Sequence, residues 1–291
     1  MKLVTFTHGG TTRIGAIVAE EVVDVSGHGR DVPHDMLTFL AQGETVLDQA
    51  GEVCASGRGR LALADVTLEA PLRRPPKILA VGLNYRDHIE ETGLPMPAVP
   101  MIFNKQSTAV IGPGGAIYRP KDSVQLDYEG ELGVVIGKQC RRVPQDKAAT
   151  VIAGYTIVND VSVRDWQMRS ATTTMGKSWD THCPLGPYIV TTDEVPDPHR
   201  LDLKTWVNGE LRQNSNTKHL IFNCFDIVAH LSTAFTLEPG DVIATGTPSG
   251  VILGMDPKIW LKPGDVVRIA IDQLGVLENP VVDEPASTVR Y

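Results

Sequence analysis

The segment Asp127-Tyr128-Glu129-Gly130-Glu131-Leu132-Gly133-Val134-Val135-Ile136-Gly137 constrains this chain more than any other stretch. Its apolar tail, with Val134, Val135 and Ile136, has the composition of a buried strand. Side chains alternate faces along a strand, so Asp127, Glu129 and Glu131 are expected on one face, about 6.6 Å apart along the backbone. Three like charges beside a buried segment repel one another and lose hydration. A divalent cation removes that penalty, and an all-oxygen donor set suits Mg2+, Mn2+ or Ca2+ better than zinc or copper. The other outcome for such a segment is a strand edge whose carboxylates face water.

A second segment adds to the first. Thr156-Ile157-Val158-Asn159-Asp160 is another apolar strand that ends on an acid, a natural place for a third oxygen donor, although Asp160 could equally cap a following helix. Arg164, Asp165 and Gln167 follow, an unusual polar density after a buried strand.

Three further places carry chemistry-bearing residues. In Asn84-Tyr85-Arg86-Asp87-His88, Asn84 suits a helix N-cap with Asp87 as its capping-box partner. His88 and Glu91 then share a helix face, where a carboxylate can orient an imidazole as a general base; an exposed surface pair is the alternative. Lys177 sits in the polar loop Thr172-Thr173-Thr174-Met175-Gly176-Lys177-Ser178-Trp179-Asp180 and could reach an anionic oxygen or simply lie on the surface. Gly246-Thr247-Pro248-Ser249-Gly250 offers either free N–H groups to an anion or an ordinary turn.

The rest of the 291 residues supply the frame. Short strands are expected at Lys2 to Phe6 and Arg13 to Val25, and a helix over Asp35 to Gln49, making a small N-terminal α+β domain over residues 1–70. Pro71-Leu72-Arg73-Arg74-Pro75-Pro76 marks a boundary, and residues 71–291 read as a strand-rich α+β domain rather than a run of βαβ units. Its helices are expected at Tyr85 to Thr92 and Ile221 to Thr233. Leu237-Glu238-Pro239-Gly240-Asp241-Val242 and Leu261-Lys262-Pro263-Gly264-Asp265-Val266 each have the Pro-Gly pair of a type II turn launching a strand.

Composition narrows the function classes. A formal net charge of −8 disfavours a sequence-independent grip on nucleic acid or on an anionic membrane. The four cysteines show no C-x-x-C spacing, which argues against a zinc ribbon or a dithiol motif. No signal-peptide apolar region opens the chain, and no stretch approaches the roughly 18 apolar residues of a membrane span, so a soluble, cytoplasmic protein is expected. There is no dinucleotide fingerprint opening a helix, no Walker A sequence, no H-E-x-x-H and no G-x-S-x-G.

Five segments in order, V-G-L-N-Y-R-D-H-I-E-E, D-Y-E-G-E-L-G-V-V-I-G, N-D-V-S-V-R-D-W-Q, G-K-S-W-D-T-H-C-P-L-G-P and G-D-V-I-A-T-G-T-P-S-G-V, resemble the fumarylacetoacetate hydrolase family over roughly residues 75 to 285. The resemblance implies a mixed, rolled β-sheet catalytic domain around a metal, preceded by a small N-terminal domain and assembled as a homodimer. It implies Glu129, Glu131 and Asp160 as ligands of Mg2+ or Mn2+, His88 with Glu91 as a water-activating dyad, and Lys177 as the oxyanion-stabilising lysine. Arg164, Gln167 and Thr247 would hold the oxo-acid end of a small anionic substrate. Some members add a fourth carboxylate just before the histidine; here Val81-Gly82-Leu83-Asn84-Tyr85 has none, so water completes the shell. That is closer to the acylpyruvase-like branch, and it leaves Asp127 as a residue behind the ligands.

The chemistry implied is hydrolysis of a carbon–carbon bond in a 2,4-dioxo acid, such as an acylpyruvate or a diketo sugar acid, through a pyruvate enolate. Oxaloacetate-type decarboxylation or keto–enol isomerisation at the same metal is the rival enzyme reading. A non-catalytic β scaffold is the reading outside enzymes. Trp166, Met168, Trp179 and His182 are candidates to line the substrate's tail.

Overall fold

The structure, a computed structural model, describes residues 1–288. The expected second domain thus ends, at residues 289–291, outside the described part. Apolar β-branched runs form the spine of a 12-stranded mixed sheet. Its main path runs Arg60–Ala62, Glu21–Asp24, Thr11–Val18, Lys2–His8, Cys183–Thr191, Ile152–Asn159, Gly130–Ile136, Val242–Ala244, Ile78–Gly82 and Met101–Lys105. The first strand pairs antiparallel with Cys183–Thr191, Lys2 opposite Val190, so the N-terminal hairpins continue the sheet of the later chain. The short strand Val110–Ile111, which follows the far edge strand, also pairs with Cys183–Thr191 and rolls the sheet back on itself. The fold is the strand-rich, mixed α+β architecture that the sequence implies.

A second, five-stranded sheet runs Glu210–Asn216, Asp202–Val207, Val266–Ile271, Gly275–Asp283 and Ile117–Arg119. The larger apolar core lies between the sheets and beneath the helix Cys224–Ala234, which opens on a capping box formed by Asn223 and Asp226. A second core packs the helices Met36–Ala41 and Glu44–Ser56 against the first sheet. The expected single helix over Asp35 to Gln49 is two, because Gly43 adopts a φ of 69° that no helix interior accepts. Gly240 and Gly264 take φ of 84° and 95°, as the third residue of a type II turn requires, and strands begin at Val242 and Val266. Among the described residues no helix is long and apolar enough to cross a membrane.

Candidate active site

Ile78–Gly82 and Val242–Ala244 are parallel neighbours, so the segments that leave their C-terminal ends emerge side by side. One carries the helix Arg86–Thr92 and the other the loop 245–250. Asn84 locks them together: its Nδ2 donates to the Thr245 and Phe222 carbonyls at 2.7 and 3.0 Å, and its Oδ1 accepts from Phe222 N at 2.8 Å. Asn84 is therefore not the expected helix cap. Tyr85 takes that place, and Asp87 Oδ1 accepts from the backbone of His88.

Gly130–Ile136 begins beside the same two ends, antiparallel to Val242–Ala244 and to Ile152–Asn159, which brings Glu129, Glu131 and Asp160 together. Asp160 N donates to the Glu129 carbonyl at 2.9 Å, and Asn159 Oδ1 accepts from Glu129 N at 3.1 Å. All three carboxylates are buried, and one oxygen from each lies within 4.8 Å of the others. Gly130 lets the second sheet approach closely between the two glutamates: a Cβ there would stand 2.5 Å from Thr205 Oγ1.

Asp127 does not share their face. The strand breaks after Leu126–Asp127 and resumes at Gly130, so strict alternation fails across Tyr128 and Glu129. Asp127 has partners of its own: Oδ1 accepts from Tyr128 N and Ile252 N at 2.9 Å, and Oδ2 accepts from Leu253 N at 3.0 Å and Arg164 Nε at 2.8 Å, the guanidinium that also reaches Glu129.

The three carboxylates are unequally compensated. Burial raises the Glu129 pKa, but Lys177 and Arg164 outweigh it and hold the group down at about 2. Burial would also lower Lys177, yet Asp160 and Glu129 keep its ammonium above the ordinary lysine value. Glu131 has only the Gly246 N–H, at 2.8 Å, and its pKa is pushed well above the usual carboxylate range by burial and by the charges of Asp160 and Glu129. A buried all-oxygen set with one uncompensated carboxylate fits a small hard dication. These three residues could hold Mg2+ or Mn2+.

The other expected residues gather around this cluster. His88 Nδ1 lies 3.1 Å from Glu91 Oε2 on the helix Arg86–Thr92, and His88 is near enough to Glu129 to add to the pull on its proton. Glu91 Oε1 accepts from Gly250 N at 2.9 Å, pinning the helix to the glycine loop. The backbone donors of Gly246 and Gly250 are thus spent on Glu131 and Glu91 rather than free for a ligand. Lys177 Nζ donates to Glu129 Oε2 and Asp160 Oδ2 at 2.7 and 2.8 Å, with the Phe103 ring 5.1 Å away. Arg164 Nη1 reaches Glu129 Oε1 at 2.7 Å and Gln167 Oε1 at 2.9 Å. Thr247 Oγ1 donates to the Gly130 carbonyl at 3.0 Å and accepts from Gln213 Nε2 at 2.8 Å.

Of the tail candidates, Met168 is exposed. Trp166 and Trp179 pack edge to face with centroids 5.0 Å apart, and His182 is buried, held neutral with a pKa near 3 by its burial. Sequence reading missed Lys105, which ends the strand Met101–Lys105 and bonds Asp160 Oδ1 at 2.6 Å. A lysine closing an apolar strand was the available signal.

Comparison with known proteins identifies the family. Residues 77–282 match the model of the fumarylacetoacetate (FAA) hydrolase C-terminal domain. The chain is 41% identical over 288 residues to the mitochondrial oxaloacetate tautomerase of Xenopus laevis, covering 97% of this chain and 90% of that protein. It superposes on a fumarylacetoacetate hydrolase from psychrophilic Exiguobacterium antarcticum with a TM-score of 0.86 at 38% identity, covering 98% of this chain and all (100%) of the other. The maleylpyruvate hydrolase of Sphingobium sp. SYK-6, solved in complex with manganese(II) and pyruvate, gives 0.82 at 34% identity with the same coverage, 98% and 100%. Five ordered segments, the rolled mixed sheet and these similarities together place the chain in the fumarylacetoacetate hydrolase family of enzymes.

Proposed function

We propose that this chain is a divalent-metal-dependent enzyme that enolises a small 2-oxo acid at C3, and that oxaloacetate keto–enol interconversion is its reaction. The observation that carries the reading is the His88–Glu91 pair, 3.1 Å apart, facing a buried three-carboxylate cluster. Relatives named oxaloacetate tautomerase support the choice of substrate. Glu129, Glu131 and Asp160 are the proposed ligands of Mg2+ or Mn2+. Bound there, the cation polarises the 2-oxo carbonyl and lowers the cost of forming an enolate.

The chain's own residues do the rest. With its Nδ1–H directed to Glu91, His88 leaves Nε2 as the base, which takes the C3 proton and can return it. Gly250 holds Glu91 still, so the imidazole keeps its orientation. Lys177 supplies positive charge where the enolate oxygen develops, and Arg164 with Gln167 meets the substrate carboxylate. Thr247, tied to the Gly130 carbonyl, shapes the same end. Assembly as a homodimer and a cytoplasmic location belong to the proposal and rest on the resemblance and on composition.

Hydrolysis of a 2,4-dioxo acid is the second reading. It is favoured by the same dyad, which is suited to activating water, and by the similarity to a maleylpyruvate hydrolase. There His88 takes a proton from water, the oxygen attacks C4, the C3–C4 bond breaks to leave a pyruvate enolate, and return of the proton to C3 gives pyruvate and a second acid. Product analysis on oxaloacetate and a panel of acylpyruvates with Mn2+ decides between them. Interconversion of oxaloacetate without new products supports tautomerisation, and two acids from an acylpyruvate support hydrolysis. Inertness toward the whole panel in metal-loaded protein would sink both.

A further inference from the structure

Lys105 is the only residue of Met101–Lys105 that is buried, and its side chain is fully enclosed. Its ammonium has three acceptors for its three N–H bonds: Asp160 Oδ1 at 2.6 Å, the Val161 carbonyl at 3.2 Å and the Lys177 carbonyl. A cation buried this deeply costs several kcal/mol unless such partners satisfy it. The other Asp160 oxygen, Oδ2, faces Lys177 Nζ at 2.8 Å, on the side where Lys177 also meets Glu129. The two oxygens of one carboxylate are thus assigned to different neighbours.

We infer that Lys105 is a positioning residue that makes Asp160 a one-oxygen ligand and thereby sets the site's choice of cation. The inference rests on the reading of Asp160 as a metal ligand. With Oδ1 held by Lys105, Oδ2, which also accepts from Lys177, is the oxygen left to meet a cation. Mg2+ and Mn2+ accept one oxygen from each carboxylate in a tight octahedron, whereas Ca2+ is larger and takes both oxygens of a carboxylate readily. Lys105 therefore favours the small ions and works against Ca2+. Through the Lys177 carbonyl the same ammonium also fixes the peptide from which the Lys177 side chain projects.

Calorimetric titration of the full chain with Mg2+, Mn2+ and Ca2+ tests this without an activity assay. In wild type, Mg2+ and Mn2+ should bind more tightly than Ca2+. In Lys105→Met, which keeps the length of the side chain and removes the charge, Mg2+ and Mn2+ should weaken by about 10- to 100-fold. Ca2+ should weaken much less, because Asp160 is then free to offer both oxygens. An equal loss for all three ions, or none, overturns the inference and leaves Lys105 a filler of space. If Lys105→Met does not fold, wild type alone decides: Ca2+ binding as tightly as Mg2+ overturns the inference, and a clear preference for the small ions supports it. A wild type that binds none of the three overturns the ligand reading itself, and this inference with it.

Discussion

Lys177 Nζ lies 2.8 Å from Asp160 Oδ2, which places a lysine ammonium against a carboxylate that is also proposed to hold a metal. The same nitrogen is 2.7 Å from Glu129 Oε2, so two of the three candidate ligands share one internal cation. Lysine and dication therefore repel across the carboxylates they share.

Lys177→Met should separate binding from turnover. Lys105 holds the Asp160 oxygen assigned away from the cation, whereas Lys177 occupies the oxygens assigned to it and competes for them directly, so the Lys177 variant is expected to bind Mn2+ about tenfold more tightly. Turnover should fall by about 100-fold or more, because a donor to the developing oxyanion is gone. Mn2+ titration alongside a rate assay checks both, and weaker metal binding in the variant contradicts the competition.

His88→Ala should lose turnover by about 10²- to 10⁴-fold, the usual contribution of a positioned general base. Glu91→Gln should lose less than His88→Ala: its single amide oxygen can keep only one of the bonds that Oε2 and Oε1 make to His88 and Gly250, so the imidazole is less firmly oriented but still present. Because the dyad is not part of the ligand set, the metal-induced rise in melting temperature should be unchanged in both variants. A His88→Ala protein with wild-type activity ends the dyad reading.

Asp127→Asn should be costly although the residue touches no proposed ligand atom. Its two oxygens accept from three backbone N–H groups and from the buried Arg164. An amide would turn donors toward donors and leave Arg164 partly uncompensated, a loss of about 3 kcal/mol in urea unfolding. A change below about 0.5 kcal/mol would show that the network is not cooperative.

Glu131→Gln should stabilise the chelator-treated protein and abolish its response to metal. Burial and the neighbouring carboxylates raise the Glu131 pKa in the folded state, so folding takes up a proton there. Stability from this group is therefore present at low pH and is lost as pH rises from the ordinary glutamate value toward the folded one. The glutamine lacks that slope, and its oxygen can still accept from Gly246 N. Melting curves across that pH window should show a smaller decline in the variant, and an identical slope contradicts the assignment of the strain to Glu131.

The site was legible where short-range pattern determines geometry. Glu129 and Glu131 flank Gly130 at the start of an apolar strand and meet in one place, and His88 and Glu91 meet because a helix turn puts them there. What could not be read depends on partners distant in sequence. Asp127 leaves the shared face because Ile252 and Leu253, 125 and 126 residues on, claim its oxygens. Asn84 is drawn from capping to bracing by Thr245 and Phe222. Lys105 approaches Asp160 only because the sheet rolls, and the pairing of Lys2 with Val190 joins residues far apart in sequence.

The most direct test of the enolisation account is the rate at which the enol form of oxaloacetate converts to the keto form, followed by ultraviolet absorbance as Mn2+ is restored to chelator-treated protein. The account predicts a rate that rises with added Mn2+, saturates near one ion per chain, and stays at the protein-free baseline in His88→Ala. A rate independent of Mn2+, or one retained in full by His88→Ala, would contradict it.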